Sequence, residues 1–551
     1  MWTRRAFKAA LAGAVTAPLT PLQAAPATPP APPPRPGTAP HDAPTGPEGQ
    51  RRADLGNGRY LNPIVPGDHA DPTVLKDGAD YYMSFSSFQS CPGAVIWHSR
   101  DLVNWVPITA ALTEPVGTVW AMDLVKHDGR YFLYIPVLRD EGTGILVVHA
   151  SDIRGPWSAP VDLKIPGCID PGHVVGEDGH RYLFVNGGRR VRLTADGLAT
   201  DGPVEANAWS PWPYPKDWVV EMFAPEGPKL LRHGGWFYLI SAVGGTAGPA
   251  TSHMVTVARS RSVHGPWQHA PNNPVVRTRS AAEPWWSRGH ASLVEGPAGD
   301  WWMVYHAYEN GLRTLGRQAL LEPVEWTADG WLRARGGLLD KPLPKPRGGQ
   351  TGPAGLALSD DFKGPGLGLQ WGFHGAAARD RERLQFDPAG GLLMQGRGSS
   401  LADCSPLVCT VGDRSYEATA EFEILGEGHG GLALFYDERA HAGLGFSRTE
   451  RLTYGYGQEQ RWMREPYDGA APASTPGAPG RIHIRLTNRE NVLTLHHSPD
   501  GHTWQQHPWQ MEVSGMHHNT FGGFLSLRIA LFAAGPGAVR VRRFRYRGLK
   551  G

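Results

Sequence analysis

The sequence predicts an all-β protein, a five-bladed β-propeller followed by an antiparallel β-sandwich. The first observation is a strand–turn–strand unit at residues 71–83, with an apolar run, an Asp-Gly turn and an aromatic run. The second observation is that this unit occurs five times, with turn glycines at 78, 129, 179, 234 and 299, which are 51, 50, 55 and 65 residues apart. Repeats of this size built from short strands indicate a propeller. The third observation is the alternation of apolar and polar residues at 418–424, after a Pro- and Gly-rich break at 341–355.

Length and composition limit the class of protein. A chain of 551 residues is too long for one ordinary core, so two domains are expected. The net charge of +2 gives no electrostatic case for nucleic acid as a partner. The 20 Trp suit sugar binding, although packing between blades accounts for most of them. The four Cys permit disulfides in an exported chain and equally permit four buried thiols: Cys91, Cys168, Cys404 and Cys409.

The N-terminal residues predict export to the periplasm or the exterior. Residues 1–25 place Arg4 and Arg5 before Phe7 and a short apolar run, which resembles a twin-arginine signal, with an ordinary secretory signal as the alternative. The apolar run is too short to span a bilayer, so no membrane partner is expected. Residues 26–56 are rich in Pro and Ala and are predicted to be a linker.

Residues 57–345 hold the five repeats and are predicted to be the propeller. The first strand of each blade lines the central axis, so the polar residues that open the repeats should point into one funnel. Carboxylates that converge there raise one another's pKa, an arrangement more typical of an active site than of a structural core. These residues are Asp71, Asp123, Asp170, Glu226 and His290.

The motifs around these residues resemble those of glycoside hydrolase family 43, whose members have a five-bladed propeller. The resemblance covers roughly 57–334 in matching order, and residues 356–551 resemble the concanavalin-like sandwich appended to the family's xylosidases. The motifs are Asn62–Thr73, Ile169-Asp170-Pro171, Glu226-Gly227-Pro228, Gly289-His290-Ala291 and Leu315-Gly316-Arg317-Gln318.

The resemblance implies three catalytic roles. Asp71 would be the general base, Glu226 the general acid, and Asp170 the residue that orients the acid and raises its pKa by like-charge repulsion. Glycoside hydrolysis needs one protonated carboxyl and one ionised carboxylate. The family inverts the anomeric configuration, which needs the two carboxyl groups to lie about 6.5–9.5 Å apart.

Simpler interpretations stay open for each of these carboxylates. Asp71 alone would be read as a turn cap beside Pro72. Glu226 competes with Glu221 for the acid role, and Asp123 competes with Asp170. The phase of the repeats favours Asp71, Glu226 and Asp170. Asp123 is interpreted as a buried carboxylate with either a structural or a sugar-contacting role.

The resemblance also implies residues that bind the substrate. Arg317 would contact sugar hydroxyls, with a structural ion pair as the alternative. Phe88 and Trp120 would form apolar walls around the terminal sugar, with ordinary packing within the blades as the alternative. Asp123 and His290 complete the predicted set. His290 could hold a central water or help bind calcium, although hydrogen bonding within the protein is the default. No cofactor is required and no metal ligand is assigned.

These inferences predict an inverting exo-glycosidase that removes terminal β-D-xylosyl units from plant-polysaccharide oligosaccharides. An α-L-arabinofuranosidase of the same fold is the alternative, and a non-catalytic carbohydrate-binding propeller is the rival from another class. Pocket depth decides between exo and endo action, and it depends on loops such as 207–222. The sequence makes no prediction of the oligomeric state. Aromatic residues of the sandwich are a further candidate sugar platform: Trp371, Tyr436, Tyr454, Tyr456 and Trp462.

Overall fold

The computed structural model describes residues 44–455, 461–467 and 480–550. The predicted export signal and the first part of the predicted linker lie outside the described residues. Residues 44–56 of the predicted linker make contacts with both domains: Arg51 donates to Asp413 of the sandwich, and Asp54 accepts from Lys345 beside the propeller. The Glu48 carboxylate accepts hydrogen bonds from the backbone N–H groups of Leu358 and Ser359 at 2.8 and 3.0 Å. Pro-rich composition alone could not reveal these partners, about 310 positions away.

Five separate sheets form the blades of the propeller, as the repeats predict. Blade 1 pairs its strands in the order β2-β3-β5-β6, blade 3 has the order β12-β13-β14, and blade 5 the order β20-β21-β22-β23. In blade 2, β7 joins the edge of β9, and in blade 4, β19 pairs with β17. The short strand β1 pairs with β24 beside the propeller. The strands are β1 (Arg59–Tyr60), β2 (Thr73–Asp77), β3 (Asp80–Ser84), β4 (Ser90–Cys91), β5 (Gly93–Ser99), β6 (Val106–Leu112), β7 (Thr118–Val119), β8 (Asp123–His127), β9 (Arg130–Arg139), β10 (Gly142–Ala150), β11 (Val161–Asp162), β12 (Gly172–Val175), β13 (Arg181–Val185), β14 (Arg189–Leu193), β15 (Glu226–His233), β16 (Trp236–Val243), β17 (Met254–Ser260), β18 (Gln268–His269), β19 (Val276–Arg277), β20 (Trp285–Glu295), β21 (Trp301–Glu309), β22 (Arg317–Trp326), β23 (Leu332–Ala334) and β24 (Leu343–Pro344).

Two-residue turns join the first two strands in blades 1, 2 and 4, whereas five residues separate the paired strand ends in blades 3 and 5. In blade 1 the hairpin closes with Asp77 opposite Asp80, and Gly78 has a φ of 62°. Such two-residue turns need a positive φ, which glycine adopts without a steric penalty. Blades 2 and 4 close in the same register, with His127 opposite Arg130 and His233 opposite Trp236. The turn signal in the sequence therefore positions the inner strand of each of these blades.

The segment before blade 1 closes the ring on blade 5. The side-chain amide of Asn62 donates to the carbonyl of Leu321 and accepts from its N–H, at 3.0 and 2.8 Å. The backbone N–H of Ile64 donates to the Ala319 carbonyl at 2.9 Å. Both partners lie on β22, so the first and last blades are held together by hydrogen bonds.

Two antiparallel sheets form the sandwich and enclose its apolar core. One sheet has the order β33-β32-β31-β30-β37-β28-β25-β4, and the other has the order β26-β27-β38-β29-β34-β35-β36. A four-residue α-helix, α1 (His518–Phe521), precedes β37, and short 3-10 helices occur at Pro47–Gly49, Arg313–Leu315 and Asp380–Arg383. The strands are β25 (Gly372–His374), β26 (Leu384–Phe386), β27 (Leu392–Gln395), β28 (Leu407–Cys409), β29 (Ser415–Gly426), β30 (His429–Asp437), β31 (Ala440–Phe446), β32 (Glu450–Gly455), β33 (Arg461–Pro466), β34 (Gly480–Arg489), β35 (Val492–Ser498), β36 (Gln505–Glu512), β37 (Arg528–Ala534) and β38 (Gly537–Gly548).

The propeller and the sandwich share structure that the sequence analysis treats as separate. Strand β4 lies within blade 1 in the sequence, yet it pairs with β25 at the edge of a sandwich sheet. Glu309 of blade 5 is fully buried and accepts from Arg51 at 2.9 Å and from Arg414 of the sandwich. A buried carboxylate with two guanidinium partners from different parts of the chain ties the two domains together.

Three further predictions can be compared with the structure. All four cysteines are free and buried, which corresponds to the buried-thiol alternative. Trp371, Tyr436 and Tyr454 are at most 2% exposed, so they cannot form a sugar platform; the side chains of Tyr456 and Trp462 are outside the described residues. Among the described residues, no helix has the length and apolarity needed to cross a membrane.

Candidate active site

The residues that open the blades meet at one end of the propeller axis. Asp71 and Asp170 precede β2 and β12, and Glu226 is the first residue of β15. Asp71, Asp170 and His290 have φ values of 58°, 55° and 57°. Non-glycine residues rarely adopt this left-handed conformation, and when they do they cluster at functional sites. The propeller brings together the three carboxylates to which the sequence analysis assigns catalysis.

The Asp71 carboxylate is held by side chains from two other elements. Its Oδ1 accepts from the guanidinium of Arg317 at 3.0 Å, and its Oδ2 accepts from the Ser86 hydroxyl at 2.6 Å. Its backbone N–H donates to Nδ1 of His306 at 3.0 Å. These partners lie 15 to 246 positions away in the sequence. The carboxylate is therefore bound by residues that are far away in the sequence and close in space. These contacts do not support the turn-cap interpretation.

This environment keeps Asp71 ionised. Burial is the largest single influence and would raise the pKa of Asp71, but Arg317, His290 and His306 together outweigh it and hold that pKa well below its usual range. Burial lowers the pKa of His290 to about 3 and also lowers the pKa of His306, so both imidazoles are neutral near pH 7. The positive charge beside Asp71 at neutral pH is thus that of Arg317.

Glu226 has the opposite electrostatic character. Its pKa is raised well above the usual value, first by burial and then by the negative charges of Asp170 and Asp71. Like-charge repulsion, the predicted cause, is thus a smaller influence on this pKa than removal of the carboxyl from water. The side chain still keeps 22% of its surface exposed, so the carboxyl can reach a substrate.

Asp170 lies directly beside the backbone of the candidate acid. Its Oδ2 accepts from the N–H of Gly227 at 3.1 Å, and its own pKa is raised by burial and by the charge of Asp71. Gly227 has a φ of 60°, and a Cβ there would lie 2.9 Å from Nε2 of His290. Only glycine fits this approach, which gives a physical reason for the Glu-Gly sequence at the start of β15.

The competing carboxylates have partners of their own. Glu221 lies on the connection before β15, as predicted, and its Oε2 accepts from the N–H of Ala247 at 2.7 Å. Asp123 forms an ion pair with Lys229 at 2.9 Å, and both side chains are less than 10% exposed. Asp123 also accepts from the backbone N–H of His173 at 2.7 Å. These contacts favour its structural interpretation, and its role in binding sugar stays a prediction.

The other predicted substrate-binding residues border the same carboxylates. Arg317 is buried between two aromatic rings, 5.6 Å from the centroid of Phe88 and 5.3 Å from that of Phe524. Phe88 is only 5% exposed, while Trp120 is half-buried and packs against the apolar core of the sandwich. His290 Nδ1 lies 3.4 Å from Oδ1 of Asp71. Their contacts with substrate stay predictions.

Three residues at the site were missed by sequence reasoning. Ser86 lies on the connection after β3, and no role was predicted for its hydroxyl. His306 lies within the aromatic and apolar strand β21, so its pattern indicates only a core position. Phe524 belongs to the sandwich, more than 200 positions after Arg317, and no local pattern links the two. The only local signal is the polar pair Ser86-Ser87 between Phe85 and Phe88.

The histidines near Glu226 do not make a convincing calcium site. Glu226, His253 and His290 each place one ligand atom within 4.8 Å of the others. Calcium prefers six to eight oxygen ligands, whereas this group offers two imidazole nitrogens and one carboxyl whose pKa is raised. The residues therefore do not fit calcium.

Family models match both domains of the chain. Residues 60–332 match the model of the Glycosyl hydrolases family 43, and residues 359–547 match that of the beta xylosidase C-terminal concanavalin A-like domain. A crystal structure of a family 43 protein from Bacillus licheniformis has a TM-score of 0.77 and 25% identity. That alignment covers 89% of this chain and 100% of the Bacillus chain.

Curated relatives carry two kinds of name. A "Xylan 1,3-beta-xylosidase" from Vibrio sp is 33% identical over 304 residues, which are 49% of this chain and 56% of the relative. A "Non-reducing end alpha-L-arabinofuranosidase" from Bacteroides ovatus is 27% identical over 523 residues, which are 87% and 92% of the two chains. The chain thus spans little more than half the length of several curated relatives it matches, the Vibrio protein among them.

Proposed function

Because the chain belongs to glycosyl hydrolase family 43, we propose that it is an inverting exo-glycosidase that releases terminal β-D-xylosyl residues from plant-polysaccharide oligosaccharides. The matched C-terminal domain, described as that of a beta xylosidase, favours xylose. An α-L-arabinofuranosidase with the same mechanism is the second candidate, favoured by the relative that matches over 87% of this chain.

One feature carries the proposal: two carboxyl groups that lie close enough to influence each other have pKa values shifted in opposite directions. Asp71 is held ionised and Glu226 is held protonated. Glycoside hydrolysis needs that pair, with a proton donor for the leaving oxygen and a base for the attacking water. A purely structural or sugar-binding funnel has no need of opposite protonation states.

The chemistry follows from these protonation states. Glu226 donates its proton to the glycosidic oxygen as the bond to the anomeric carbon breaks. Asp71 accepts a proton from the water that attacks the anomeric carbon from the opposite face, which inverts the configuration. Arg317 and Ser86 fix the two oxygens of Asp71, and Asp170 helps keep the Glu226 proton in place at neutral pH.

Contacts between the domains support action on chain ends. Phe524 of the sandwich lies over Arg317, and Asn519 of helix α1 bonds with the backbone of Gly248 at 2.9 and 3.2 Å. The sandwich thereby covers one flank of the mouth of the site. A mouth enclosed on one side suits a single terminal sugar better than a continuous polysaccharide.

Sugar release from unactivated oligosaccharides tests the proposal. We expect the parent protein to release xylose from xylo-oligosaccharides, and Asp71→Asn and Glu226→Gln to lose that activity. Glu221→Gln is the matched control, since it makes the same change five residues from the candidate acid and should remain active. Arabinose release would favour the second candidate. Sugar binding without release from any substrate would refute hydrolysis and support the non-catalytic propeller.

The proposal includes export of the chain to the periplasm or the exterior, based on residues 1–25. Fractionation of cells that express the full chain, beside Arg4→Lys with Arg5→Lys, tests this. Retention of the variant in the cytoplasm would support a twin-arginine signal. Export of both proteins would favour an ordinary secretory signal, and retention of both would refute export.

A further inference from the structure

The most exposed large apolar side chains lie on one loop beside the candidate acid. Val219, Met222 and Phe223 are 64%, 57% and 52% exposed, the three highest values for large apolar residues in the described part of the chain. They belong to the rim loop, residues 207–223, which leads from blade 3 to Glu226. Large apolar side chains exposed together on one loop, rather than singly across the surface, indicate a binding site.

Aromatic rings of the rim loop stand in pairs. The ring centroids of Trp212 and Trp218 are 6.1 Å apart, and those of Tyr214 and Phe223 are 5.7 Å apart. The guanidinium of Arg277, from β19, lies 3.3 Å from the centroid of Trp218. A cation over the ring face favours one position of the Trp218 side chain. The loop thus presents several ring surfaces in a fixed arrangement.

The rim loop is anchored at both ends. Near its start, Trp209 is buried between blades 3 and 4. Near its end, the carbonyl of Val219 accepts from the Thr251 hydroxyl at 2.6 Å, and the backbone N–H of Glu221 donates to Ser252 Oγ at 2.9 Å. A binding surface held by such contacts needs little ordering when a ligand arrives.

We propose that the rim loop binds the leaving-group sugar units of the substrate chain by stacking pyranose rings on its aromatic and apolar side chains. This inference rests on the proposed function. Glu226 protonates the leaving oxygen, so the leaving chain must pass close to Glu226, and Phe223 is only three residues away. The sandwich covers Gly248 on the neighbouring connection, while the rim loop stays uncovered.

The chemistry of the surface selects its occupant. The C–H faces of a pyranose ring are apolar and carry a slight positive charge, which matches the negative face of an aromatic ring. The loop exposes the apolar groups of Val219, Met222 and Phe223 beside the exposed Lys216 and Asp217, so it offers apolar contacts to the faces of a sugar ring and polar partners to its hydroxyls. An oligosaccharide of several neutral pyranose units fits better than a substrate with a small leaving group.

Two substrates with the same terminal sugar separate the leaving-group contact from the rest of the reaction. Xylotetraose carries three leaving-group sugars, and β-D-xylopyranosyl fluoride carries none. We divide kcat/KM for xylotetraose by kcat/KM for the fluoride. This ratio is measured in the parent, in Phe223→Ala and in Trp218→Ala. Trp509→Ala is the matched control, since Trp509 is 43% exposed but lies on the sandwich. If the parent releases arabinose, the corresponding arabinofuranosyl pair is used.

We expect the ratio to fall about tenfold in both rim-loop variants, mainly through a higher KM for xylotetraose, as loss of a stacking contact predicts. The ratio in Trp509→Ala should equal that of the parent. An unchanged ratio in the rim-loop variants would overturn the inference. So would a shift in their molar mass by light scattering without a change in the ratio, which would make the loop a contact between copies of this chain. A parent inactive on both pairs would instead refute the proposed function on which the inference rests.

Discussion

Replacement of Asp170 by Asn tests why Glu226 stays protonated. The change removes one negative charge and keeps a side-chain oxygen. In the parent, Oδ2 of Asp170 accepts from the N–H of Gly227 at 3.1 Å, and the Asn oxygen can accept the same hydrogen bond. Asp170 raises the pKa of Glu226, second only to burial, so its neutralisation should lower that pKa. The proton of the acid is then lost at a lower pH than in the parent.

The expected size follows from the charges. Like charges shift each other's pKa when they lie within about 6 Å, and two unit charges at that limit interact by roughly 3 kcal/mol at an effective dielectric constant of 20. This energy corresponds to about two pKa units. Burial, and then the charge of Asp71, also raise the pKa of Asp170, so it is only partly ionised near neutral pH. We therefore expect the pKa of Glu226 to fall by about one unit in Asp170→Asn. At pH values above the falling limb, kcat/KM should then be about tenfold lower than in the parent.

The assay is the pH dependence of kcat/KM, whose falling limb reports the acid of the free enzyme. In Asp170→Asn the falling limb should move to lower pH by about one unit. Glu221→Gln serves as the control. Glu221 raises the pKa of Glu226 less than burial, Asp170 and Asp71 do, so this variant should move the falling limb much less. A substrate whose leaving group needs no proton should show little loss. A limb that stays in place, or moves to higher pH, would refute the reasoning.

Three other predictions follow from buried charges. Arg317→Met should raise the pKa of Asp71, move the rising limb of the pH profile to higher pH and lower kcat/KM by about 100-fold; an unmoved limb would contradict the electrostatic role. Lys229→Met should leave Asp123 buried without its cation and lower the free energy of unfolding by about 3–5 kcal/mol in urea titrations, whereas an effect below about 1 kcal/mol would contradict the ion pair. Arg414→Ala should lower the thermal stability of the whole chain, since Glu309 keeps only Arg51 as its cation; calorimetry that shows an unchanged transition would count against the tie between the domains.

The blades were predictable because their signals are local and periodic. A tight Gly-containing turn closes the first hairpin in blades 1, 2 and 4, and the recurrence of the whole strand–turn–strand unit gives the number of blades. The same periodicity placed Asp71, Asp170 and Glu226 at one end of the axis, since each opens a blade. A strand of the sandwich, β29, was likewise legible from the alternation of apolar and polar residues at 418–424.

Whatever depends on partners far apart in the sequence was decided by the tertiary structure alone. Lys229 neutralises Asp123 across 106 positions, which distinguishes that carboxylate from the three beside the pocket. His306 and Ser86 meet at Asp71 from β21 and from the connection after β3. Repeats fix where a residue stands in its blade, but the protonation of Asp71 and Glu226 depends on burial and on charges that only the closed ring brings within reach.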